Sequence, residues 1–437
     1  MNMTIKPLYA LLILILIVAI PLFAHLDSFP LDEWDESHLA NNALEMSHNH
    51  NWLVTTYNNT PDMWETKPPL MIWLQVISMK VLGENELAIR LPSALAALTT
   101  CFLLFFFFTK KYNEPWLGII SVATLVTAEG YLHLHNARSG DYDSLLTMLM
   151  TAYAIFYFLY LEENRKKYLY TTIAFLILAA LTKGIQGLMF LPGLFVYTIY
   201  KKKFISILKV REIYQGIAAF LFFVLGYYLL REHYNPGYLA AVKVNELQRY
   251  NTVIESHQGD KFYYIFWLSD HFRYAYLFAI PGVICGICSS NKGIKDITVF
   301  ITLLTGLYLL TISNSQTKVF WYLMPVFPFL AVLAAIFIYS ICLVLKDTDR
   351  LKGTFQYNPF PFIFLLFLFC APFSAMKDLA YEGPKGFGGT DEIKNMEIFL
   401  QDVLHNRRNI NGFSIVNPGT EQHLGWYYKP EFGLSSY

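Results

Sequence analysis

The sequence predicts an all-α membrane protein that crosses the bilayer about eleven times, because it holds that many apolar runs of spanning length. The composition agrees, since 55% of the 437 residues are hydrophobic and only 15% are charged. Soluble domains rarely show that balance. The loops between the runs carry basic residues in an alternating pattern, which predicts the direction of each span.

Each apolar run predicts one helix. The approximate bounds are 7–25, 90–109, 116–132, 144–161, 168–182, 185–200, 213–230, 273–289, 297–312, 319–345 and 358–376. The first run has a long apolar core, and no small-residue cleavage site closes it cleanly. We therefore interpret it as an uncleaved first span and not as a secretory signal.

Nearly every basic cluster falls on one side of the membrane if the N-terminus is cytoplasmic. These clusters consist of Lys110, Lys111, Arg165, Lys166, Lys167, Lys201, Lys202, Lys203, Lys209, Arg211, Lys292, Lys295, Lys346, Arg350 and Lys352. Cytoplasmic loops carry such an excess of lysine and arginine. The pattern predicts a cytoplasmic N-terminus and, with an odd number of spans, an outer C-terminus.

The chain divides into two predicted parts. Residues 1–376 form the transmembrane domain, and its first outer loop, 26–89, is long enough to hold amphipathic helices. Residues 377–437 form a short outer segment with one helix candidate, "DEIKNMEIFLQDVL", and one strand-like stretch, "NGFSIVNP". The pattern predicts a small α/β segment on the outer side.

Two classes of partner are not indicated. The formal net charge is zero, and the sequence shows no sign of the basic surface that nucleic acid requires. No glycine-rich phosphate loop of the nucleotide-binding type occurs, so a cytoplasmic nucleotide donor is not expected.

Ionisable residues enter several spans from the outer side. Among them are Arg138, Asp141, Asp143, Lys183 and Lys318. Charges near hydrocarbon are costly, so the group predicts a shared water-accessible cavity; for any single residue, the alternative is an ordinary interfacial anchor. Lysines and arginines in such a cavity suit a lipid-linked phosphate whose tail stays in the bilayer. Carboxylates beside them suit removal of a proton from an acceptor hydroxyl.

One lysine stands out in the first loop. In "PDMWETKPPLMIW" (61–73), Lys67 is the only lysine or arginine between Leu26 and Pro68 in a stretch rich in carboxylates. The two prolines that follow disfavour a helix at Lys67 and allow one to begin just after it. That places the ammonium group at headgroup depth, where a polyprenyl phosphate lies. The alternative is a lysine that extends to the interface and pairs with Glu65 or Asp62.

Four histidines offer a possible metal site. His48, His50, His133 and His135 would bind a divalent cation with Asp35 or Glu36 if the fold brought them together. Sequence spacing does not do so, and we interpret these histidines as solvated loop residues. The metal requirement therefore stays open.

Several motifs occur in a defined order. They are "WDESHLANNALEM" (34–46), "NWLVTTYNN" (51–59), "KPPLMIWL" (67–74), "GENELAIRLPSALAAL" (83–98), "ARSGDYDSLLT" (137–147), "LTKGIQGLMFLPGL" (181–194) and "KVFWYLMPVFPFLAVL" (318–333). Together they resemble the lipid A aminoarabinose transferase and protein O-mannosyltransferase-like family of glycosyltransferases, which has the GT-C fold. The resemblance covers roughly residues 1–345.

The resemblance implies roles for individual residues. Asp35 falls on the aspartate that is the candidate base, and Asp143 on the aspartate that opens the fourth span. Glu36 is the family's acidic neighbour, and with Asp141 we expect it near the acceptor or a metal. Lys67 falls on the lysine of the family's Glu-Lys-Pro-Pro motif, which implies contact with the donor phosphate. Further donor-phosphate contacts are expected from Arg138, Lys183 and Lys318.

Two departures from the family pattern affect these expectations. Thr66 replaces the glutamate that precedes the lysine, which leaves the metal or pairing role of that glutamate open. His38 stands where the family usually has arginine.

The sequence thus predicts a glycosyltransferase in the bacterial cytoplasmic membrane. It would move a sugar from a polyprenyl-phosphate donor to a lipid, glycan or protein acceptor on the outer side, with Asp35 as base and inversion at the anomeric carbon. Two alternatives remain, a transporter of lipid-linked saccharide and a non-catalytic glycan-binding relative, because a fold does not fix a function. Transporters commonly contain inverted repeats, and the sequence shows no convincing one.

Overall fold

The described part of the chain is almost entirely helical. The structure, a computed structural model, describes residues 5–32, 35–133, 135–347, 358–382 and 402. In its first half the helices are α1 Pro7–Phe23, α2 Asp35–Asn49, α3 Leu70–Leu82, α4 Glu86–Phe107, α5 Pro115–Val126, α6 Glu129–Leu132, α7 Tyr142–Glu163, α8 Lys166–Lys183 and α9 Leu191–Tyr200. A short antiparallel hairpin pairs β1 Thr56–Tyr57 with β2 Thr60–Pro61.

The second half continues in the same way. Its helices are α10 Phe204–Ile207, α11 Arg211–Phe220, α12 Gly226–Tyr234, α13 Tyr238–Val242, α14 Tyr263–His271, α15 Arg273–Ile287, α16 Lys292–Asn314, α17 Phe327–Asp347 and α18 Phe360–Glu382. Short π or 3₁₀ helices cover Phe108–Tyr112, Gly184–Leu188, Leu221–Leu225, Lys243–Leu247, Gln248–Tyr250 and Phe320–Val326.

The apolar helices agree with the predicted spans. Seven are long and apolar enough to cross a membrane, and five shorter apolar helices accompany them. Each of the eleven predicted spans overlaps one of these helices, and the additional one, Leu70–Leu82, lies in the predicted first outer loop. The prediction of an all-α polytopic membrane protein is confirmed, while the number of eleven crossings stays a prediction.

The long helices run alternately up and down, so the bundle has two distinct ends. At one end lie the ion pairs Lys111–Glu163, Lys166–Glu212 and Lys201–Asp296. We call it the basic end, because the loops that carry Lys111, Lys166 and Lys201 lie there. At the other end the first loop meets the N-terminus of α7 and the C-terminus of α8. We call this the site end.

Two sets of helices form the centre of the bundle. Helix α7 packs against α4 and α8, and α17 packs against α15 and α5. The α15–α17 contact is very close: a Cβ atom on Gly282 would lie 1.8 Å from the carbonyl oxygen of Leu333. Only glycine allows this approach, since any other side chain would push the helices apart.

The first loop folds as a compact unit at the site end. Helix α2 begins with Asp35 and Glu36, acids that favour a helix N-terminus, and most of its residues are buried. Helix α3 follows the two prolines, as predicted. The predicted helix at 391–404 and strand at 411–418 lie outside the described residues, apart from Asp402.

Candidate active site

Asp35 is the accessible carboxylate of the site. It opens helix α2, and 27% of its side chain is exposed, whereas the neighbouring Asp141 is only 5% exposed. An oxygen of Asp35 lies 3.6 Å from Nδ1 of His135. The charge of Asp35 also stabilises the Lys67 ammonium group. Asp35 therefore lies between a histidine and a lysine and faces solvent.

His135 links Asp35 to Asp141. Its backbone is left-handed, with φ of 63°, and its Nδ1 atom lies 2.8 Å from an Asp141 oxygen. Burial disfavours the imidazolium, but the hydrogen bond to Asp141 and the charge of Asp35 outweigh it and raise the pKa of His135 to about 9. The His135 ring also lies 4.1 Å from the Trp321 ring, centroid to centroid.

Asp35, His135 and Asp141 form a candidate metal site. Each offers one ligand atom, and the three atoms lie within 4.8 Å of one another. An imidazole nitrogen with two carboxylate oxygens suits Zn²⁺ and Mn²⁺. In binding a cation, His135 would exchange its hydrogen bond to Asp141 for a bond to the metal, because both use Nδ1.

Glu36 holds the surrounding loops together. Its carboxylate accepts hydrogen bonds from Arg90 at 2.8 Å on each oxygen, from the Gly140 amide at 2.6 Å and from the Asp32 amide at 2.7 Å. A carboxylate has about four lone-pair sites, so these bonds saturate Glu36. Burial opposes its charge, but Arg90 outweighs burial and lowers the pKa of Glu36. Glu36 thus stabilises the surrounding loops, and its expected place near the acceptor or a metal stays a prediction.

Arg90 is the ion-pair partner of Glu36. Besides its bond to Glu36, its guanidinium donates to the carbonyl oxygens of Leu26, Phe29 and Pro30 at 2.6–3.0 Å. Arg90 lies in the "LAIRLPS" part of a family motif, but nothing in the sequence predicts its role. The fixed fork of donors in arginine suits this many-partner contact.

The start of α7 carries the next two acids. Asp141 caps the helix, accepting a hydrogen bond from the Tyr142 amide at 2.5 Å, and carboxylates are favoured at a helix N-terminus. Asp143 is fully buried and lies 2.5 Å from the Lys183 ammonium group. A Cβ atom on Gly140 would lie 2.4 Å from Ile89, so glycine lets the chain approach α4 closely.

Lys67 lies in the expected place but is already paired. Its ammonium group lies 3.1 Å from Glu65 and 4.0 Å from Glu246, and it packs over the Tyr142 ring at 5.2 Å. Burial disfavours its charge, but Glu65 and Glu246 outweigh burial and raise the pKa of Lys67 well above its ordinary value. Lys67 is therefore a cation throughout the physiological range.

A third cation, whose role nothing in the sequence predicts, lies near Lys67. Arg249 interacts electrostatically with Lys67, Glu246 and Tyr322. The Lys183 ammonium group lies 5.7 Å from the Tyr322 ring. Tyr322 stands in "KVFWYLMP", a motif that carried the resemblance, whereas Arg249 has no local signal in its loop. We call Lys67, Lys183 and Arg249 the cation cluster.

The other two basic residues that were expected to bind phosphate lie elsewhere. Arg138 donates to the carbonyl oxygens of Pro21 at 2.9 Å and Ala24 at 2.6 Å, at the end of α1. The Lys318 ammonium group donates to the Ser315 carbonyl oxygen, and burial lowers its pKa. These contacts hold the chain in place, and the structure does not bring Arg138 or Lys318 into the cation cluster.

The expectation for the histidines was half wrong. His48 and His50 are exposed, as expected of solvated residues. His133 is 9% exposed and packs against Phe320 and Trp267, and His135 lies in the candidate metal site. Burial depends on loops distant in sequence, which spacing does not reveal.

His38 joins the helix of Asp35 to the loop of Lys67. Its Nε2 atom lies 2.5 Å from an Asp62 oxygen, and both side chains are buried. Its ring stacks on Tyr57 with 4.6 Å between centroids. Burial opposes the Asp62 charge, but the bond to His38 outweighs it and lowers the pKa of Asp62 to about 2. The residue that departs from the family's arginine thus links helix α2 to the loop that carries Lys67.

Comparison with known proteins places this geometry in a class. A family profile for dolichyl-phosphate-mannose-protein mannosyltransferases matches residues 66–230. The undecaprenyl phosphate-alpha-4-amino-4-deoxy-L-arabinose arabinosyl transferase of Shewanella sediminis is 30% identical over 206 residues, which cover 44% of this chain and 37% of that protein. The chain spans 59%, 37% and 21% of the length of three curated relatives.

Solved structures show the same fold. ArnT from Cupriavidus metallidurans bound to undecaprenyl phosphate superposes with a TM-score of 0.67 at 17% identity, over 97% of this chain and 85% of ArnT. The oligosaccharyltransferase AglB from Archaeoglobus fulgidus, in complex with an inhibitory peptide and a dolichol-phosphate, gives a TM-score of 0.54 at 11% identity, over 88% of this chain and 56% of AglB.

The chain is therefore a multi-pass membrane protein with the GT-C glycosyltransferase fold. In the matched regions it is similar to ArnT and to the protein mannosyltransferases. The resemblance that the sequence motifs predicted is confirmed.

Proposed function

We propose that this protein transfers a sugar from a polyprenyl-phosphate donor to an acceptor hydroxyl or phosphate at the site end. The observation that carries the proposal is the position of Asp35, the accessible carboxylate that lies within electrostatic range of the Lys67 ammonium group. This proximity supports a donor phosphate bound next to the proposed base. The undecaprenyl phosphate and dolichol-phosphate in the structures of ArnT and AglB support this class of donor.

The reaction needs few groups. The acceptor hydroxyl attacks the anomeric carbon and forms the new glycosidic bond, while the bond from that carbon to the donor phosphate oxygen breaks and its electron pair stays on the phosphate. Asp35 accepts the hydroxyl proton, and the cation cluster stabilises the released phosphate. A single displacement of this kind inverts the anomeric configuration. With a phosphate acceptor the nucleophile is already an anion, and Asp35 would serve to orient it.

A divalent cation held by Asp35, His135 and Asp141 would supply a positive charge that polarises the acceptor oxygen. In this proposal, Trp321 and Asp141 limit where the acceptor oxygen binds. Trp321 bounds the site beside His135, and Asp141 is held by the first turn of α7.

The first prediction concerns the donor. Lys67→Ala should weaken binding of polyprenyl phosphate by about 1.5–3 kcal/mol, roughly 10- to 150-fold, because a charge-assisted contact is lost. Lys67→Arg should restore part of the affinity, since its shape and reach differ. Affinity is measured with undecaprenyl phosphate in detergent micelles. Lys80→Ala, a lysine that packs over Trp52 in helix α3, is the matched control. Equal affinity in Lys67→Ala and wild type would remove Lys67 from the donor site.

The second prediction concerns the metal site. Protein stripped with a chelator should bind one Mn²⁺ per chain, measured by titration calorimetry and electron paramagnetic resonance. His135→Ala and Asp141→Asn should abolish this binding, because each removes one of three ligands. His48→Ala, an exposed histidine in the same half of the chain, should bind as wild type does. Unchanged Mn²⁺ binding in both ligand variants would place any metal elsewhere.

The third prediction concerns the side of the membrane. The basic end should be cytoplasmic. Single cysteines at Asn58 and Gly259, exposed at the site end, should react with an impermeant thiol reagent in intact spheroplasts. Cysteines at Asn164, Lys202 and Lys292, exposed at the basic end, should react only after lysis. The opposite pattern would reverse the orientation and move the reaction to the cytoplasmic face.

The proposed function itself is tested in cells. Mass spectrometry of envelope glycolipids and glycoproteins, with and without the gene, should show one sugar modification that depends on it. Loss of that modification in Asp35→Asn would assign the chemistry to this chain. A transporter would give a different result, since Asp35→Asn would leave the modification in place while deletion removed it.

A further inference from the structure

The basic end carries a second amphipathic site, far from the groups of the candidate active site. A crevice of about 350 Å³ lies between α4, α7 and α8. Its walls are apolar and include Phe102, Phe106 and Phe156, and Phe106 is 42% exposed on the surface of the bundle. A crevice of this kind, open toward the bilayer, accommodates hydrocarbon.

One end of the crevice is charged. Lys110, Lys111 and Glu163 line it there. Lys111 lies 2.8 Å from Glu163, and Arg165 lies 3.4 Å from the other oxygen of the same carboxylate. Two cations, Lys111 and Arg165, thus contact the Glu163 carboxylate, and Lys110 is a further cation at the same end of the crevice.

Lys110 is the cation that remains available. It is exposed, and no ion pair to it occurs among the residues that the structure describes. It lies in the π turn Phe108–Tyr112, which ends α4 at the mouth of the crevice. The charged end of the apolar crevice therefore carries an excess of positive charge.

We infer that this crevice is a binding site for an anionic phospholipid of the bilayer. One acyl chain lies along the phenylalanine walls, and the headgroup phosphate contacts Lys110 and Arg165. Basic pockets between transmembrane helices on the cytoplasmic side bind anionic headgroups in this way. A polyprenyl phosphate has a similar head, but its much longer chain does not match a short crevice. The inference does not depend on the proposed function.

The test compares two lipids and two pairs of variants. Full-length protein is reconstituted in nanodiscs of phosphatidylcholine with a minor fraction of phosphatidylglycerol, extracted gently, and examined by native mass spectrometry. Wild type should retain phosphatidylglycerol. Lys110→Ala with Arg165→Ala should retain about 25-fold less, since each cation near a headgroup contributes roughly fivefold.

The matched control is Lys202→Ala with Lys209→Ala, two exposed lysines of the same end outside the crevice, which should retain lipid as wild type does. Leu103→Trp, which fills the crevice and keeps its charges, should also lose phosphatidylglycerol. Equal retention of the two lipids by wild type would overturn the inference, as would an equal loss in the control pair. Displacement of phosphatidylglycerol by stoichiometric undecaprenyl phosphate would assign the crevice to the polyprenyl lipid instead.

Discussion

Asp35→Asn is expected to be made, inserted and able to bind donor, yet to lose sugar transfer by about 10²- to 10⁴-fold, the range for a general base. Asparagine keeps the shape of the side chain but does not accept the acceptor's proton at neutral pH. The measurement is the single-turnover rate of transfer from a polyprenyl-phosphate sugar, with donor affinity determined in parallel on the same preparation.

Asp27→Asn is the matched control, because Asp27 is an exposed carboxylate of the same loop. Its rate should equal that of wild type. The product of wild type should carry the inverted anomeric configuration. Turnover near the normal rate in Asp35→Asn, or a retained configuration, would take the role of base from Asp35.

Arg90→Ala is expected to reduce the free energy of unfolding by about 3–5 kcal/mol, because it leaves the buried carboxylate of Glu36 without its counter-charge. Three carbonyl oxygens lose their donor as well. Arg90→Lys should recover only part of this loss, since one ammonium group does not reach all the partners of a guanidinium. Denaturant unfolding in detergent, followed by tryptophan fluorescence, measures the change.

Lys166→Ala serves as its control, because the pair Lys166–Glu212 is well exposed on the lysine side. Exposed pairs contribute about 0–1 kcal/mol, so this variant should unfold almost as wild type does. If Arg90→Ala unfolded at the same denaturant concentration as Lys166→Ala, the Glu36–Arg90 ion pair would not stabilise the fold.

The helices were predictable because membrane spans are encoded locally, in the length of each apolar run. Their ends were less predictable. The predicted span 116–132 extends past the end of α5 at Val126. The end of the helix was missed because hydropathy reports the solvent around a segment and not its backbone conformation. For the same reason the 3₁₀ turn Phe320–Val326 before α17 was not separated from its span.

The site was predictable only where a motif carried it. Motifs identified Asp35, Lys67 and Lys183 as candidates, and the structure pairs Asp143 with Lys183, while the roles expected of these residues stay predictions. Glu65 shows the limit of motif-based prediction. Thr66 replaces the glutamate that precedes the lysine in the family motif, so a carboxylate partner for Lys67 was in doubt. In the structure, the carboxylate of Glu65, two residues before Lys67, contacts the Lys67 ammonium group. Arg249 arrives from a distant loop, and no local pattern reports such a contact.

The 3₁₀ turn that begins at Phe320 places neighbouring side chains in two different environments. Trp321 lies against His135, and Tyr322 lies against Lys183. A small rotation of this short 3₁₀ helix would move both Trp321 and Tyr322. Thermodynamic linkage then requires reciprocity. If a bound donor raises the affinity for the acceptor by some factor, a bound acceptor must raise the affinity for the donor by the same factor. In the proposed reaction, donor and acceptor would in this way influence each other's binding without contacting the same side chain.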